Sequence, residues 1–320
     1  MPDQKLQVIR GLNNCRQQHQ DGVITIGNFD GLHLGHQKML EKMHSEASRL
    51  NTHGCLMTFE PLPREYFSRD DASSSRLMSR IEKIRTLGDF EDSLRPDYLL
   101  FLKFDRSLAA MSAVEFIEQV LVKSLKIRAV IVGDDFRFGC DRKGDFGLLS
   151  DYGKKYGFSV SSIESHCIDD HRVSSSLIRG ALINDQLERA DTMLGRPYTI
   201  CGHVNHGDKR GRTIGFPTAN IHLRRTQTPL HGVYSVTMHS LKHGDVAGIA
   251  NIGRRPTVDG TRVQLEVHLF DFNESIYGEQ VCISFQHKIR DEKKFESFDD
   301  LKQQIQLDCK TALDLLAGTY

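Results

Sequence analysis

Two stretches of this 320-residue chain carry residue types suited to phosphate chemistry. Residues 27–36 read GNFDGLHLGH. His33 and His36 can donate hydrogen bonds to phosphate oxygens and add charge when protonated. Gly27, Gly31 and Gly35, with Phe29 between them, let the backbone come close to a ligand. The run follows an apolar tetrad, Val23-Ile24-Thr25-Ile26, and precedes an amphipathic segment. A strand therefore ends, glycines turn the chain and a helix begins. Unpaired N–H groups and the helix dipole favour an anion at such a point.

The second stretch is GRTIGFPTAN, residues 211–220. Thr218 and Asn220 flank Ala219 on a short, stiff segment and offer two neutral oxygens. Magnesium takes oxygen ligands and often combines a few protein groups with substrate phosphates. Downstream, Val263, Leu265, Val267 and Leu269 alternate with Gln264, Glu266, His268 and Phe270. Glu266 thus faces away from four apolar residues. A primary alcohol is a poor nucleophile, and a carboxylate placed there can take its proton.

Two further segments belong with the first stretch. VGDDFRFG, residues 132–139, follows an apolar run and contains Asp135, Phe136 and Arg137. VSSSLIR, residues 173–179, opens a helix with Ser174 and Ser175 and places Arg179 one turn along. Hydroxyls and a guanidinium suit ATP phosphates. An ordinary serine N-cap accounts for the same hydroxyls equally well.

The elements around these residues fall into two patterns. From about 20 to 165, short apolar runs near 23–26, 55–59, 98–102, 129–132 and 158–163 alternate with helical periodicity near 40–50, 77–87 and 114–125. That alternation predicts a Rossmann-like parallel sheet with helices on both faces, where ligands bind beyond the strand carboxyl ends. From about 198, period-two runs near 233–238, 263–270 and 281–286 are separated by Gly- and Pro-containing turns. They predict an antiparallel barrel or sandwich. A last helix has Ser297 and Asp300 as a capping pair and Phe298, Leu301, Ile305, Ala312 and Leu316 as its buried stripe. A helix near 184–194 separates the patterns, so the expected domains are 1–186 and 187–320. Residues 70–75 read as a mobile surface loop.

Composition narrows the function. Basic and acidic residues balance at 42 each, and the balance holds in both halves, which argues against a nucleic-acid partner. No apolar run is long enough for a membrane span, and the N-terminus lacks an apolar leader core, so a cytoplasmic protein without a membrane partner is expected. The seven cysteines form no CxxC pair, so free buried thiols are expected rather than zinc or disulfides.

GNFDGLHLGH resembles the HxGH signature of nucleotidyltransferases, which transfer a nucleoside monophosphate and release pyrophosphate. VGDDFRFG and VSSSLIR resemble motifs of the prokaryotic FAD synthetase branch. The second usually reads SSTxIR there, and Ser176 keeps a hydroxyl where threonine is usual. GHVNHGDKRGRTIGFPTANI, GVYSV, GIANIGRRPTV, LEVHLFDFNESIYGEQV and IRDEKKFESFDDLKQQI resemble the riboflavin kinase domain. Together the segments resemble the bacterial family of bifunctional riboflavin kinase/FAD synthetases, over nearly the whole chain and in order. The resemblance implies a six-stranded barrel with a C-terminal helix. It implies riboflavin, FMN and ATP as substrates and magnesium as the metal. It implies that Thr218 and Asn220 bind magnesium with ATP and that Glu266 activates the terminal ribityl hydroxyl. Gly207 and Arg212 would lie beside ATP phosphates, and Arg290 would approach the flavin. A monomer or weak homo-oligomer is expected. An adenylyltransferase whose barrel only binds flavin would lack the base or the magnesium segment. A flavin carrier would also lose His33 or His36. This chain keeps all of them.

Overall fold

The computed structural model describes residues 6–67, 75–205, 216–223, 225, 227–257 and 260–317, with backbone alone at 254–257 and 260–262. Gly207, Arg212 and residues 70–74 of the expected surface loop lie outside the described residues, whereas Ser75 is buried. The chain forms two compact units, Met1–Ser74 with Arg80–Ser174, and Ser75–Ser79 with Ser175–Tyr320.

The first unit is a six-stranded sheet in which every neighbouring pair runs parallel. Its strands are β1 (Gln7–Arg10), β2 (Val23–Ile26), β3 (Gly54–Glu60), β4 (Tyr98–Lys103), β5 (Ala129–Gly133) and β6 (Ser159–Ile163), in the order β1-β4-β3-β2-β5-β6. β2 is buried at all four positions, as a central parallel strand must be. β1 was not anticipated. It is an edge strand in which only Ile9 is buried, so its sequence has almost no apolar signal. From β2 the chain adds β3 and β4 on one side, then crosses to add β5 and β6 on the other. The reversal lies between β2 and β5, and a crevice opens beyond the carboxyl ends of strands at such a point. The helix expected over 114–125 runs from Ala113 to Ser124 and is wound wider from Phe116 on, with Leu125 N bonded to Val120 O at 3.1 Å. A short ribbon pairs β7 (Cys167–Ile168) with β8 (His171–Arg172).

The second unit contains a closed antiparallel barrel. Its strands are β9 (Thr199–Asn205), β10 (Ala219–His222), β11 (Gly232–Ser240), β12 (Gly244–Thr257), β13 (Gly260–Leu269) and β14 (Gln280–Arg290). They close in the order β10-β13-β12-β11-β14-β9. Closure leaves no free sheet edge. The helix Phe298–Ala317 packs on the outside of β11, β12 and β14. Val233, Ile249 and Ala312 form the contact, which explains why the first five residues of β11 are buried on both faces. Ser297 caps this helix as expected, receiving the Asp300 amide at 3.1 Å and donating to its carboxylate at 2.6 Å. The expected stripe fails at Phe298, which is 72% exposed at the start of the helix. The helix opened by VSSSLIR spans Ser175–Ile183, and the interdomain helix expected over 184–194 spans Leu187–Leu194. They break at Asp185, which has a φ of 58°. Its carboxylate accepts from Tyr234 at 3.1 Å and from Lys288 at 2.5 Å, tying the break to β11 and β14.

One expectation about the cysteines is corrected. Cys201 and Cys282 form a disulfide. They are direct partners in the β9–β14 register, a proximity that spacing along the chain does not reveal. The five other cysteines are free.

Two candidate active sites

The first site is the loop leaving β2. Phe29 and Leu32 hold left-handed backbone angles, with φ of 45° and 47°, and both are fully buried. Such angles are costly for residues with a Cβ and persist only where neighbours fix them. The neighbours are two cations. Arg64 pairs with the buried Asp30 carboxylate at 2.6 Å. Lys83, itself buried, donates to Asn28 O at 2.7 Å and to Thr58 Oγ1 at 3.2 Å. Gly31, at φ 90°, completes the turn. Sequence reasoning missed Asp30, Arg64 and Lys83, because their roles depend on contacts between separate elements.

His33 is the N-cap of the helix Leu34–Arg49. Its Nδ1 accepts the His36 amide at 3.4 Å. An accepting Nδ1 leaves the neutral ring's proton on Nε2, so that edge is a donor. The His33 and His36 rings stack with centroids 3.6 Å apart and planes 18° from parallel. Phe29 packs against His36 at 4.9 Å. A Cβ on Gly35 would stand 3.2 Å from His33 Nδ1, and one on Gly27 would stand 3.2 Å from the Phe29 ring. Both glycines therefore make room for rings. The structure thus brings Gly27, Phe29, Gly31 and His33 in the loop together with Gly35 and His36 in the first turn of the helix, at the switch point.

The loop after the adjacent β5 carries Asp135, Phe136 and Arg137. Asp135 pairs with Arg172 at 2.8 Å, which pushes the guanidinium pKa up. Arg137 pairs with Asp145 at 3.0 Å. The Leu148 amide, with Arg137 nearby, holds the Asp145 carboxyl below the usual carboxylate range. Phe136 stacks on Phe138 at 5.4 Å. Ser174 is half-buried in the same unit. Ser175 opens its helix in the second unit, and Arg179 is buried there, with Nε donating to Ser75 O at 2.7 Å.

The second site is a row around the outside of the barrel. Asn220 faces Glu266 across β10 and β13, Glu266 faces Asn251 across β13 and β12, Asn251 faces Val233, and Val233 faces Arg290. Directly opposed residues in antiparallel strands project to the same side. Leu265 and Val267 fill the interior with no exposure, so the row lies on the outer face. Gln264 was not singled out from the sequence. Its Nε2 donates to Asn220 Oδ1 at 3.0 Å and to Glu266 Oε1 at 2.7 Å, binding the two together. The signal was present, since Gln264 shares a face with Glu266 two residues on. His268 continues that face; its Nδ1 lies 2.8 Å from Pro217 O and fixes the segment that carries Thr218.

Thr218 also lines a cavity of about 150 Å³, floored by Val204, Val267 and Leu269 and walled by residues 272–277. His243, 5% exposed at its side chain, braces this wall through Glu274 and Glu279, each at 3.3 Å. Arg290 holds the buried Asp308 carboxylate through Nε, at 3.1 and 2.9 Å, and through a terminal nitrogen at 2.8 Å. Gln304 bonds the same carboxylate at 2.9 Å. Among the described residues, no group of three or more His, Cys, Asp or Glu is arranged for a metal ion. Thr218 and Asn220 supply hard oxygen donors, a set that suits magnesium shared with phosphates.

A parallel sheet with a histidine-bearing loop at its switch point, followed by a closed barrel with a carboxylate beside oxygen donors, defines a two-unit phosphate-transfer enzyme. The FAD synthetase family model matches residues 15–177, and the riboflavin kinase family model matches residues 194–316. A bifunctional riboflavin kinase/FMN adenylyltransferase from Haemophilus influenzae is 48% identical over 308 residues, covering 96% of this chain and 98% of its own length. The Escherichia coli protein of the same description is 45% identical, covering 98% and 99%. A crystal structure of a protein described as a macrolide-efflux protein from Streptococcus pneumoniae superposes with a TM-score of 0.79, at 30% identity, over 95% of this chain and 97% of that one. The chain belongs to the family of bifunctional riboflavin kinases/FMN adenylyltransferases. No helix among the described residues is long and apolar enough to cross a membrane.

Proposed function

We propose that the family's two activities are divided between the two parts of the chain, with FMN adenylylation in residues 1–186 and riboflavin phosphorylation in residues 187–320. The chain is a riboflavin kinase and an FMN adenylyltransferase. The family-model matches support the division.

In the kinase step, Glu266 accepts the proton of the terminal ribityl hydroxyl as its oxygen attacks the γ-phosphorus of ATP and ADP leaves. The observation that carries this reading is the Gln264 amide, which ties Glu266 to Asn220 at 2.7 and 3.0 Å. Gln264 fixes the carboxylate so that an accepting oxygen faces the substrate. Thr218 and Asn220 would hold magnesium, whose chemistry when bound is to neutralise ATP phosphates. The cavity beside Thr218 would take the nucleoside, with Gly207 and Arg212 near the phosphates. Arg290, oriented by Asp308, would meet the flavin.

In the adenylyl step, the FMN phosphate is already ionised near neutral pH. Its oxygen attacks the α-phosphorus of ATP, and pyrophosphate leaves. His33 and His36 donate to the phosphate oxygens, and the amides of the cap add their dipoles. Gly27, Phe29, Gly31 and Gly35 shape the ATP side. By their motifs, Asp135, Phe136 and Arg137 would belong to an FMN/ATP-side loop, and Ser174, Ser175 and Arg179 would serve ATP phosphates. Because both steps consume ATP, the reading has the protein work in the cytoplasm; a monomer or weak homo-oligomer is its assumed form.

Incubating purified protein with riboflavin, ATP and magnesium and separating the products by chromatography tests the reading. FMN followed by FAD is expected. Absence of both overturns it.

A further inference from the structure

Asn251 sits in the centre of the barrel row, directly opposite Glu266. Its Oδ1 is buried and has no hydrogen-bond partner among the described residues. A buried acceptor without a donor is uncommon and needs an explanation. Its position supplies one. The neighbour on the other side of Glu266 is Asn220, already bonded to Gln264, on the side assigned to magnesium and the phosphate donor. On Asn251's own side the row continues through Val233 to Arg290, where the flavin is placed. The row therefore runs from phosphate donor, through base, to the body of the acceptor.

We propose that Asn251 is a specificity-determining residue of the kinase, whose Oδ1 accepts a hydrogen bond from the ribityl hydroxyl next to the one that is phosphorylated. Opposed Cβ atoms in such a pair stand about 5 Å apart, so Glu266 and Asn251 can engage two hydroxyls on neighbouring carbons. An acceptor must meet a donor, and a polyol presents O–H groups at this spacing. The aliphatic Val233 next along the row offers no competing donor. The inference rests on Glu266 being the base, which fixes where the reacting hydroxyl sits.

The test compares riboflavin with 4′-deoxyriboflavin, which lacks that neighbouring hydroxyl. The wild-type enzyme is expected to favour riboflavin at least tenfold in kcat/KM, since a site that pairs with a hydroxyl rejects the analogue lacking it. Asn251→Ala is expected to lose at least tenfold on riboflavin and to bring the two substrates within about threefold of each other. A residue with only a structural role would lower both substrates equally and leave the ratio unchanged, which would overturn the proposal. Should Asn251→Ala fail to fold, wild-type enzyme that uses both substrates equally well overturns it alone, and Asn251→Ser provides the folded variant in which the ratio must shrink. Glu266→Gln is the separate control. If it phosphorylates riboflavin at the wild-type rate, the base assignment fails, whereas the substrate ratio at Asn251 reports on Asn251 itself.

Discussion

The two proposed sites would meet one chemical need, holding phosphates in register with a nucleophile, by different constructions. The phosphate loop of the first unit, residues 27–36, is contiguous. Ten residues form it, and the main chain does most of the shaping through left-handed angles at Phe29 and Leu32, a glycine turn and a histidine cap. The barrel site is discontinuous. Asn220, Glu266, Asn251 and Arg290 come from four strands, and the ladder register alone makes them neighbours. A site made by backbone is vulnerable to an added Cβ. A site made by register is vulnerable to loss of single side chains.

The largest effect that separates the two is expected from Glu266→Gln. Removing the base should lower FMN formation by about 10²–10⁴ in kcat. FAD formation from supplied FMN should stay at the wild-type rate, as steady-state assays of each half-reaction would show. His33→Ala should do the reverse. It removes a donor to phosphate and should lower FAD formation by about 10²–10³. It also removes a helix cap, at a cost of about 1 kcal/mol in denaturant unfolding.

Asp308→Ala strips Arg290 of its bidentate partner. The barrel unit should lose about 3 kcal/mol in urea unfolding, because one charge of a largely buried pair is left behind. The KM for riboflavin should rise with it. A variant with unchanged stability would show that Arg290 does not depend on this helix.

Gly35→Ala sharpens the backbone argument because its two effects have opposite sign. Alanine is the better helix former by up to about 1 kcal/mol, so stability should hold or rise. The Cβ, 3.2 Å from His33 Nδ1, should tilt the ring and lower FAD formation about tenfold. Unchanged activity would mean the stacked histidine geometry is not required.

The smallest effect concerns pH. Burial pushes the Asp191 carboxyl up to about 6, while an unfolded aspartate titrates near 3.8. The folded chain therefore holds an extra proton between these values. Its stabilisation is full below about pH 4 and lost as pH rises through 6. Asp191→Asn keeps an oxygen for the Tyr198 amide, which now bonds Asp191 at 2.8 Å. At pH 7 the variant should be more stable by about 1–2 kcal/mol, a figure reduced for partial solvent screening. Its stability should be flatter between pH 4 and 6, as thermal unfolding at a series of pH values would show.

The contrast also explains what could be read from the sequence. The loop at residues 27–36 was legible because its residues are adjacent, and adjacency preserves spacing. The parallel and antiparallel patterns were legible because burial on two faces or one writes different periodicities. The bond from Gln264 to Asn220 and the pairing of Asn251 with Glu266 were not, since those neighbours lie 44 and 15 positions away and only strand pairing supplies them. The same holds for the Cys201–Cys282 pair and for Asp30 with Arg64. β1 was missed because one buried residue in four leaves no pattern.

The most direct test mixes the two variants. Glu266→Gln and His33→Ala proteins are each given riboflavin, ATP and magnesium, alone and together, and FAD is measured by chromatography. Neither alone should form FAD from riboflavin. Together they should form it, because FMN made by the His33→Ala protein is adenylylated by the Glu266→Gln protein. No FAD from the mixture, or loss of both half-reactions in either folded variant, would contradict two sites with separate roles.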